Sequence, residues 1–383
     1  MATGNYKVLV NCSTLVKGGA LQVAAAMIVH ALKDPDTADW QYMVSRNTAN
    51  ELEGFGIDTT AKQFHIFDSS PARSGAARKR VLAIEAEVRP DLVFTLFGPA
   101  YVRFANRHLC GVADPWVTHS SWLAFKTLGF NKDSVLMLGL MFWKAVWWKT
   151  ADYCWTEAPV AKDGLISRLR FKEERVFIIP NTVGPQFEKA KARAKPPGEG
   201  KFRILCLSAY YCHKNLEIIP DVLKSIKDLR PKLDFELTVT LPAELEESAA
   251  IVKRAEELGV TEHLNNLGRI PVSETPALYE QSHIAFLPSL LEVFSAVYPE
   301  SMSTGLPLVT TDLRFATDVC KDAAAYFVPT NADDAAKKII RLAEDREYWE
   351  KKSARGLEIY SELPNAQQKW DLQKDVIMKV ASL

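Results

Sequence analysis

The stretch that decides the fold is FRILCL at 202–207, followed by the polar loop SAYYCHK at 208–214 and the run NLEIIPDVLKSIKDL from 215 onward. A short apolar, branched run bounded by a polar loop reads as a strand buried on both faces, and the longer run after it reads as a helix. The same order opens the chain: KVLVNC at 7–12, a loop with Lys17-Gly18-Gly19, then LQVAAAMIVHAL, whose Ala, Leu and Met favour helix. QYMVS (41–45), DLVFTLF (91–97), WVTH (116–119) and RVFIIP (175–180) add strands to the first half, and FELTVTL, HIAFLPS and LPLVTT add them to the second. Strands alternating with helices predict an α/β fold of two Rossmann-like, doubly wound parallel sheets.

Between the halves, EKAKARAKPPGEGK is charged, lacks large apolar residues and ends among prolines and glycines, as a linker does. The predicted organisation is a first domain at 1–187, a linker at 188–200, a second domain at 201–361 and a terminal helix at 362–383. That last helix is either an ordinary terminus or one that crosses back to the first domain.

Composition narrows the function. The chain has 383 residues with 47 basic and 47 acidic side chains, so its formal net charge is zero and no nucleic-acid partner is expected. Cys12, Cys110, Cys154, Cys206, Cys212 and Cys320 are scattered without a CxxC pair, which reads as free thiols in a reducing compartment. MATGNYKVLVNCS runs straight into a strand with no signal-peptide pattern, so a cytoplasmic protein is expected.

The most informative chemistry lies in HIAFLPSLLEVFSAVYPESMSTGLPLV, 283–309. It predicts a strand, a loop ending in Glu292-Val293-Phe294, and a helix capped near Ser295 with Pro299 in its first turn and Gly305 at its end. A helix N-terminus offers free N–H groups to a diphosphate. One carboxylate before the helix can reach sugar hydroxyls, and a second inside it can accept from paired ribose hydroxyls.

The Glu-x7-Glu spacing of Glu292 and Glu300 resembles the signature of retaining GT-B glycosyltransferases, glycosyltransferase family 4 in particular. Gly18-Gly19 resembles the family's first-loop glycines, Asn181-Thr182-Val183 its Asn-Gly-Val segment, His213-Lys214-Asn215 its lysine segment, and Leu267-Gly268-Arg269-Ile270 its base-binding turn. The resemblance implies a nucleotide-sugar donor held by Gly18, Gly19, Lys214, Arg269, Ile270, Phe294, Ser295 and Glu300. It also implies catalytic positions at Glu292 and at His119, a histidine at a strand end beside the donor sugar. Glu157 is a further carboxylate at a strand end. Val293 and Ser295 stand where the family commonly has glycine, and Ala209 where it commonly has arginine, so Lys214 is expected to carry the diphosphate charge with help from a tyrosine or Arg269. The implied reaction is sugar transfer with retention, by front-face attack, to a glycan or lipid-linked acceptor in cell-envelope polysaccharide synthesis (lipopolysaccharide O-antigen, capsule or exopolysaccharide). It needs no metal or other cofactor. Asp34-Pro35-Asp36 reads as a turn rather than a metal-binding Asp-x-Asp.

The run VLMLGLMFWKAVWW at 135–148 is too short to span a bilayer. It fits either a buried helix or one lying on an anionic membrane, with Trp143, Trp147 and Trp148 beside Lys144 and Lys149, contact extending over 135–149. Two other functions remain open on the same fold: a nucleotide-sugar epimerase and a non-catalytic scaffold subunit. A nicotinamide-dependent oxidoreductase lacks the required G-x-G-x-x-G after the first strand.

Overall fold

The structure, a computed structural model, describes residues 6–129, 132–190 and 193–383. The chain forms two compact units. The first comprises Met1–His119, Val135–Pro180 and Ala366–Leu383, and the second Ser120–Ser134 and Asn181–Asn365. The division falls at 180/181 rather than in the charged segment, and the last helix belongs to the first unit.

In the first unit β1 (Val8–Cys12), β2 (Gln41–Ser45), β3 (Phe64–Phe67), β4 (Leu92–Thr95), β5 (Arg107–Gly111), β6 (Tyr153–Thr156) and β7 (Val176–Ile178) form one sheet in the order β3-β2-β1-β4-β5-β6-β7. Every pairing is parallel. The order reverses between β1 and β4, the kind of point at which doubly wound sheets generally bind ligands. Val8, Val10, Phe94 and Trp155 from the sheet pack with Trp40, Trp370 and Ile377. Each such side chain, taken fully from water, contributes roughly 1.5–3 kcal/mol.

Helix Ala366–Ala381 follows Pro364 and is fastened along its length. The Trp370 ring meets Trp40 edge-on at 5.9 Å, and its indole N–H donates to Asp34 Oδ2 at 3.0 Å. Lys374 Nζ donates to Asp34 Oδ2 at 2.8 Å and Asp36 Oδ2 at 2.6 Å, so the Asp-Pro-Asp segment is a 3₁₀ turn engaged with a lysine. At the other end Arg107 Nη1 donates to the carbonyls of Val380 and Ala381.

One strand expectation fails. Residues 116–119 are not a strand but part of helix Pro115–His119. Asp114 accepts from the Trp116 N–H at 3.1 Å and Pro115 occupies the first helical position, a start signal that outweighs the β-branched residues. The strand itself is RHLCG, β5, where buried His108 interrupts the apolar run. Gly111 ends it of necessity, since a Cβ there would lie 1.7 Å from Leu96 O.

Helix Lys132–Trp148 is amphipathic in space though not in sequence. Trp148 is buried with Cys110, Cys154, Leu165 and Val176. Its other face leaves Val135, Leu136, Leu138, Leu140, Phe142, Trp143 and Val146 between 43% (Leu140) and 73% (Phe142) exposed. The fully buried reading of 135–148 is therefore incorrect. Lys144 turns away from that face to pair with Asp114 at 2.6 Å. Among the described residues no helix is long and apolar enough to cross a membrane.

The second unit repeats the plan. β8 (Phe202–Cys206), β9 (Phe235–Val239), β10 (Leu264–Asn266), β11 (Ile284–Leu287), β12 (Leu308–Thr311) and β13 (Ala325–Phe327) are ordered β10-β9-β8-β11-β12-β13, again all parallel. Helices Ile219–Leu229 and Ala332–Glu344 bury Val222, Leu223, Ile226, Ala335 and Ile339 in its core. The expected linker is not a free tether throughout. Arg193 Nη1 donates to Ser303 O at 2.6 Å and the Ala194 N–H to Thr304 O at 2.9 Å. Both bonds satisfy carbonyls at the C-terminus of helix Val297–Thr304, which has no intrahelical donors left for them.

Candidate functional site

In the second sheet the strand order reverses between β8 and β11, which pair directly through Ile204–Ile284 and Leu205–Ala285. The loops leaving their carboxyl ends carry Lys214 and Glu292, 78 residues apart in sequence. Asn215 adopts left-handed backbone (φ 54°, ψ 39°), which turns the first loop into its helix. The Leu290 N–H donates to His213 O at 2.8 Å, tying the two loops together. Thr310 Oγ1 donates to Leu287 O at 2.8 Å and Thr311 Oγ1 to Ser289 O at 2.6 Å, so β12 holds the second loop from the other side.

Within that frame Lys214 Nζ donates to Glu292 Oε1 in an ion pair whose side chains are 14% and 11% exposed. Ser289 Oγ donates to the same oxygen at 3.0 Å. Two residues expected to serve different parts of a ligand are thus one charge-compensated group, which is how a low-dielectric site tolerates both charges.

Helix Val297–Thr304 begins after Ala296, and no side chain caps it. The expectation that Ser295 caps it is incorrect: Ser295 is buried, and its carbonyl accepts from the Tyr298 N–H at 3.1 Å. Gly305 ends the helix at φ 70° as expected. Glu300 lies in the first turn, half-buried, its Oε2 accepting from Tyr279 Oη at 2.7 Å. Burial pushes its carboxyl up to about 7, and the Tyr279 hydrogen bond pulls the other way. Val293 is buried and Phe294 half-buried beside them.

The remaining donor-side expectations are more spread out. Arg269 and half-buried Ile270 follow β10, the sheet edge, three strands from β11 and so about 14 Å across the ladder. The Arg269 guanidinium is 74% exposed and pairs with Glu244 at 3.2 Å, so it does not join Lys214. Gly268 supplies the left-handed turn there (φ 69°). Tyr210 Oη is bonded to Glu217, and Tyr211 stacks on His213 at 5.6 Å.

In the first unit Gly18 (φ 75°) stands at the N-cap of helix Gly19–Lys33, and a Cβ on Gly18 or Gly19 would meet no atom within 4 Å. Asn11 Oδ1 accepts from Ser13 N and Oγ at 3.2 and 2.6 Å, shaping the loop that leads to them. His119 ends its short helix, its Nδ1 2.8 Å from Thr118 Oγ1, rather than ending a strand. Gly164 allows the helix Pro159–Ser167 to approach that segment, since a Cβ there would lie 2.0 Å from Thr118 O. Glu157 follows β6, is buried, and its carboxyl is pushed up to about 6 by burial, with Lys369 acting in the opposite direction.

Tyr279, Ser289, Thr310 and Thr311 had not been expected. Ser289 lies within the loop of Glu292 and was open to notice; Tyr279 sits 21 residues before Glu300 with no local motif.

Residues 187–358 match the family described as Glycosyl transferases group 1. The chain is 25% identical over 234 residues to MMP alpha-(1->4)-mannosyltransferase of Mycolicibacterium hassiacum, covering 59% of this chain and 55% of that protein. It is 31% identical over 91 residues to O-antigen chain mannosyltransferase B of Escherichia coli, 24% of each. The chain thus spans about half the length of the first of these relatives and about a quarter of the second. A glycosyltransferase from Rickettsia africae ESF-5 superposes with a TM-score of 0.72 at 14% identity, over 98% of both chains, which establishes the shared fold. Two doubly wound parallel sheets give the chain the GT-B fold shared with that glycosyltransferase, and residues 187–358, within its second unit, match Glycosyl transferases group 1.

Proposed function

We propose that this protein transfers a sugar from a nucleotide-sugar donor to a glycan or lipid-linked acceptor, with retention of anomeric configuration and without a metal, in the synthesis of a cell-envelope polysaccharide. The observation that carries the reading is the Lys214–Glu292 pair at the switch point of the second sheet, next in sequence to an uncapped helix bearing Glu300. The positive N-terminal end of helix Val297–Thr304 and Lys214 supply positive charge where a diphosphate leaving group gains negative charge, the interaction that lowers the barrier most. Glu300 accepts the ribose hydroxyls, and Glu292, anchored by Lys214 and Ser289, binds the sugar. Attack comes on the front face, with the departing phosphate as base. The reading also assigns roles in donor binding to Gly18 and Gly19 and in catalysis to His119, residues of the first unit. The mannosyl and O-antigen relatives support a glycan acceptor.

The acceptor reading extends to location. The apolar face of Lys132–Trp148, with exposed Lys149 at its end, suits a helix lying on an anionic membrane where a lipid-linked glycan is presented. The protein is then a peripheral one on the cytoplasmic face.

The test is incubation with UDP-, GDP-, ADP- and dTDP-sugars, with and without envelope glycolipid extract, followed by chromatography and NMR of the products. Acceptor-dependent consumption giving a product with the donor's anomeric configuration, undiminished by EDTA, is expected. An isomerised sugar formed without acceptor would make the protein an epimerase, and donor bound but never consumed would make it a scaffold.

A further inference from the structure

Glu300 has one neighbour whose hydrogen bond no local motif announces. Tyr279, on helix Thr275–Gln281, is fully buried; its ring meets Phe187 edge-on at 5.1 Å and its hydroxyl donates to Glu300 Oε2 at 2.7 Å. A buried tyrosine needs a partner for its hydroxyl, and this one spends it on a carboxylate in the proposed site. With the ring clamped, the bond fixes one carboxylate oxygen and thereby the plane in which the other can accept. A hydrogen bond to a carboxylate also favours the charged form, opposing the burial that pushes Glu300 up to about 7.

The other groups packed on helix Val297–Thr304 do not do this. Helix Arg346–Glu362 meets it through Gly356, Ser353 and Leu357, which are uncharged. β12 brings Leu308 and the hydroxyls of Thr310 and Thr311, which are bonded to backbone carbonyls. Arg193 lies at the far end on Ser303 O, and Cys206, at the end of β8, is a thiol that burial keeps neutral.

We propose that Tyr279 is the positioning residue for Glu300, aiming its carboxylate and keeping it anionic so that it accepts from the paired hydroxyls of a nucleoside ribose. The inference rests on the reading of Glu300 as the ribose-binding group, and the experiment separates the two.

Binding of UDP, GDP, ADP and dTDP to the wild type, Tyr279→Phe and Glu300→Gln is measured by calorimetry from pH 6 to pH 9, using the nucleotide that binds best. Glu300→Gln is expected to lose affinity at every pH. For Tyr279→Phe, loss of one hydrogen bond raises the Glu300 carboxyl by about one unit. Affinity then falls about five-fold at pH 7 and recovers to within about 1.2-fold of wild type at pH 9. An equal loss at all pH values would mean a merely structural role and would overturn the inference, as would an unchanged profile while Glu300→Gln fails to bind. Glu300→Gln binding like wild type would overturn the ribose reading and the inference with it, and so would failure of all four nucleotides to bind the wild type.

Discussion

Breaking the Lys214–Glu292 pair from either side should cost far more than removing it whole. Both side chains are nearly out of water, 14% and 11% exposed, so each charge has given up most of its hydration. At an effective dielectric of about 20 the attraction of two such charges near 4 Å is roughly 4 kcal/mol, and desolvation of several kcal/mol per ion offsets it. The intact pair is therefore close to neutral for stability, whereas a single ion left behind retains most of its penalty without its counter-charge. Lys214→Met and Glu292→Gln should each destabilise the protein by about 3 kcal/mol, and the double variant by no more than either single, giving a coupling of about 3 kcal/mol. Urea denaturation of the four proteins followed by circular dichroism measures the cycle. Costs that simply add, or singles that each lose less than about 0.5 kcal/mol, would show the two side chains to be independent surface groups and refute the argument from burial.

The Glu300 carboxyl, raised from 4.5 to about 7, gives a stability effect of definite sign. A raised acid supports folding below about pH 4.5 and loses that support as pH rises through about 7. Glu300→Gln should therefore melt above wild type at pH 8, by about 1–2 kcal/mol once partial exposure is allowed for, and level with it at pH 4; a variant that melts lower at pH 8 contradicts the sign. Gly111→Ala places a methyl 1.7 Å from the Leu96 carbonyl and 2.7 Å from the Trp155 indole nitrogen. Neither neighbour can yield cheaply, so a loss of at least about 3 kcal/mol or insoluble expression is expected, and a wild-type melting curve would rule the clash out. The Phe142→Ser/Trp143→Ser variant should abolish flotation with anionic liposomes while leaving the melting temperature within about 2 °C, because both side chains already face water. Flotation unaffected by the change, or a wild-type protein that never floats, would remove the membrane reading.

Much of the fold could be read from the sequence because buried parallel strands advertise themselves: VLVNC, FRILC and IAFL are short apolar runs followed by turns. RHLCG was illegible for the opposite reason, since its arginine reaches back to the final helix and its histidine is buried against Thr95 Oγ1 at 2.8 Å. WVTH has strand composition but helix punctuation, and the Asp114-Pro115 start prevailed. In the site, the loop, the helix and its Gly305 end were legible from local signals. The pairing of Lys214 with Glu292 and the bond from Tyr279 were not, because both depend on which strands neighbour which in the sheet. The apolar run at 135–148 defeats sequence reading in a third way: its residues are apolar all round, so only the structure reveals which side is covered.

The central claim, that the reversal of strand order between β8 and β11 holds the donor, is tested most directly by a crystal structure with a bound nucleoside diphosphate. Phosphate oxygens are expected about 3 Å from Lys214 Nζ and from the Val297 N–H that opens helix Val297–Thr304, with the ribose hydroxyls on Glu300. Nucleotide seated instead in the open cavity of about 590 Å³ lined by Asp221, Lys224, Ser225 and Asp333, with the Lys214–Glu292 region unliganded, would contradict it.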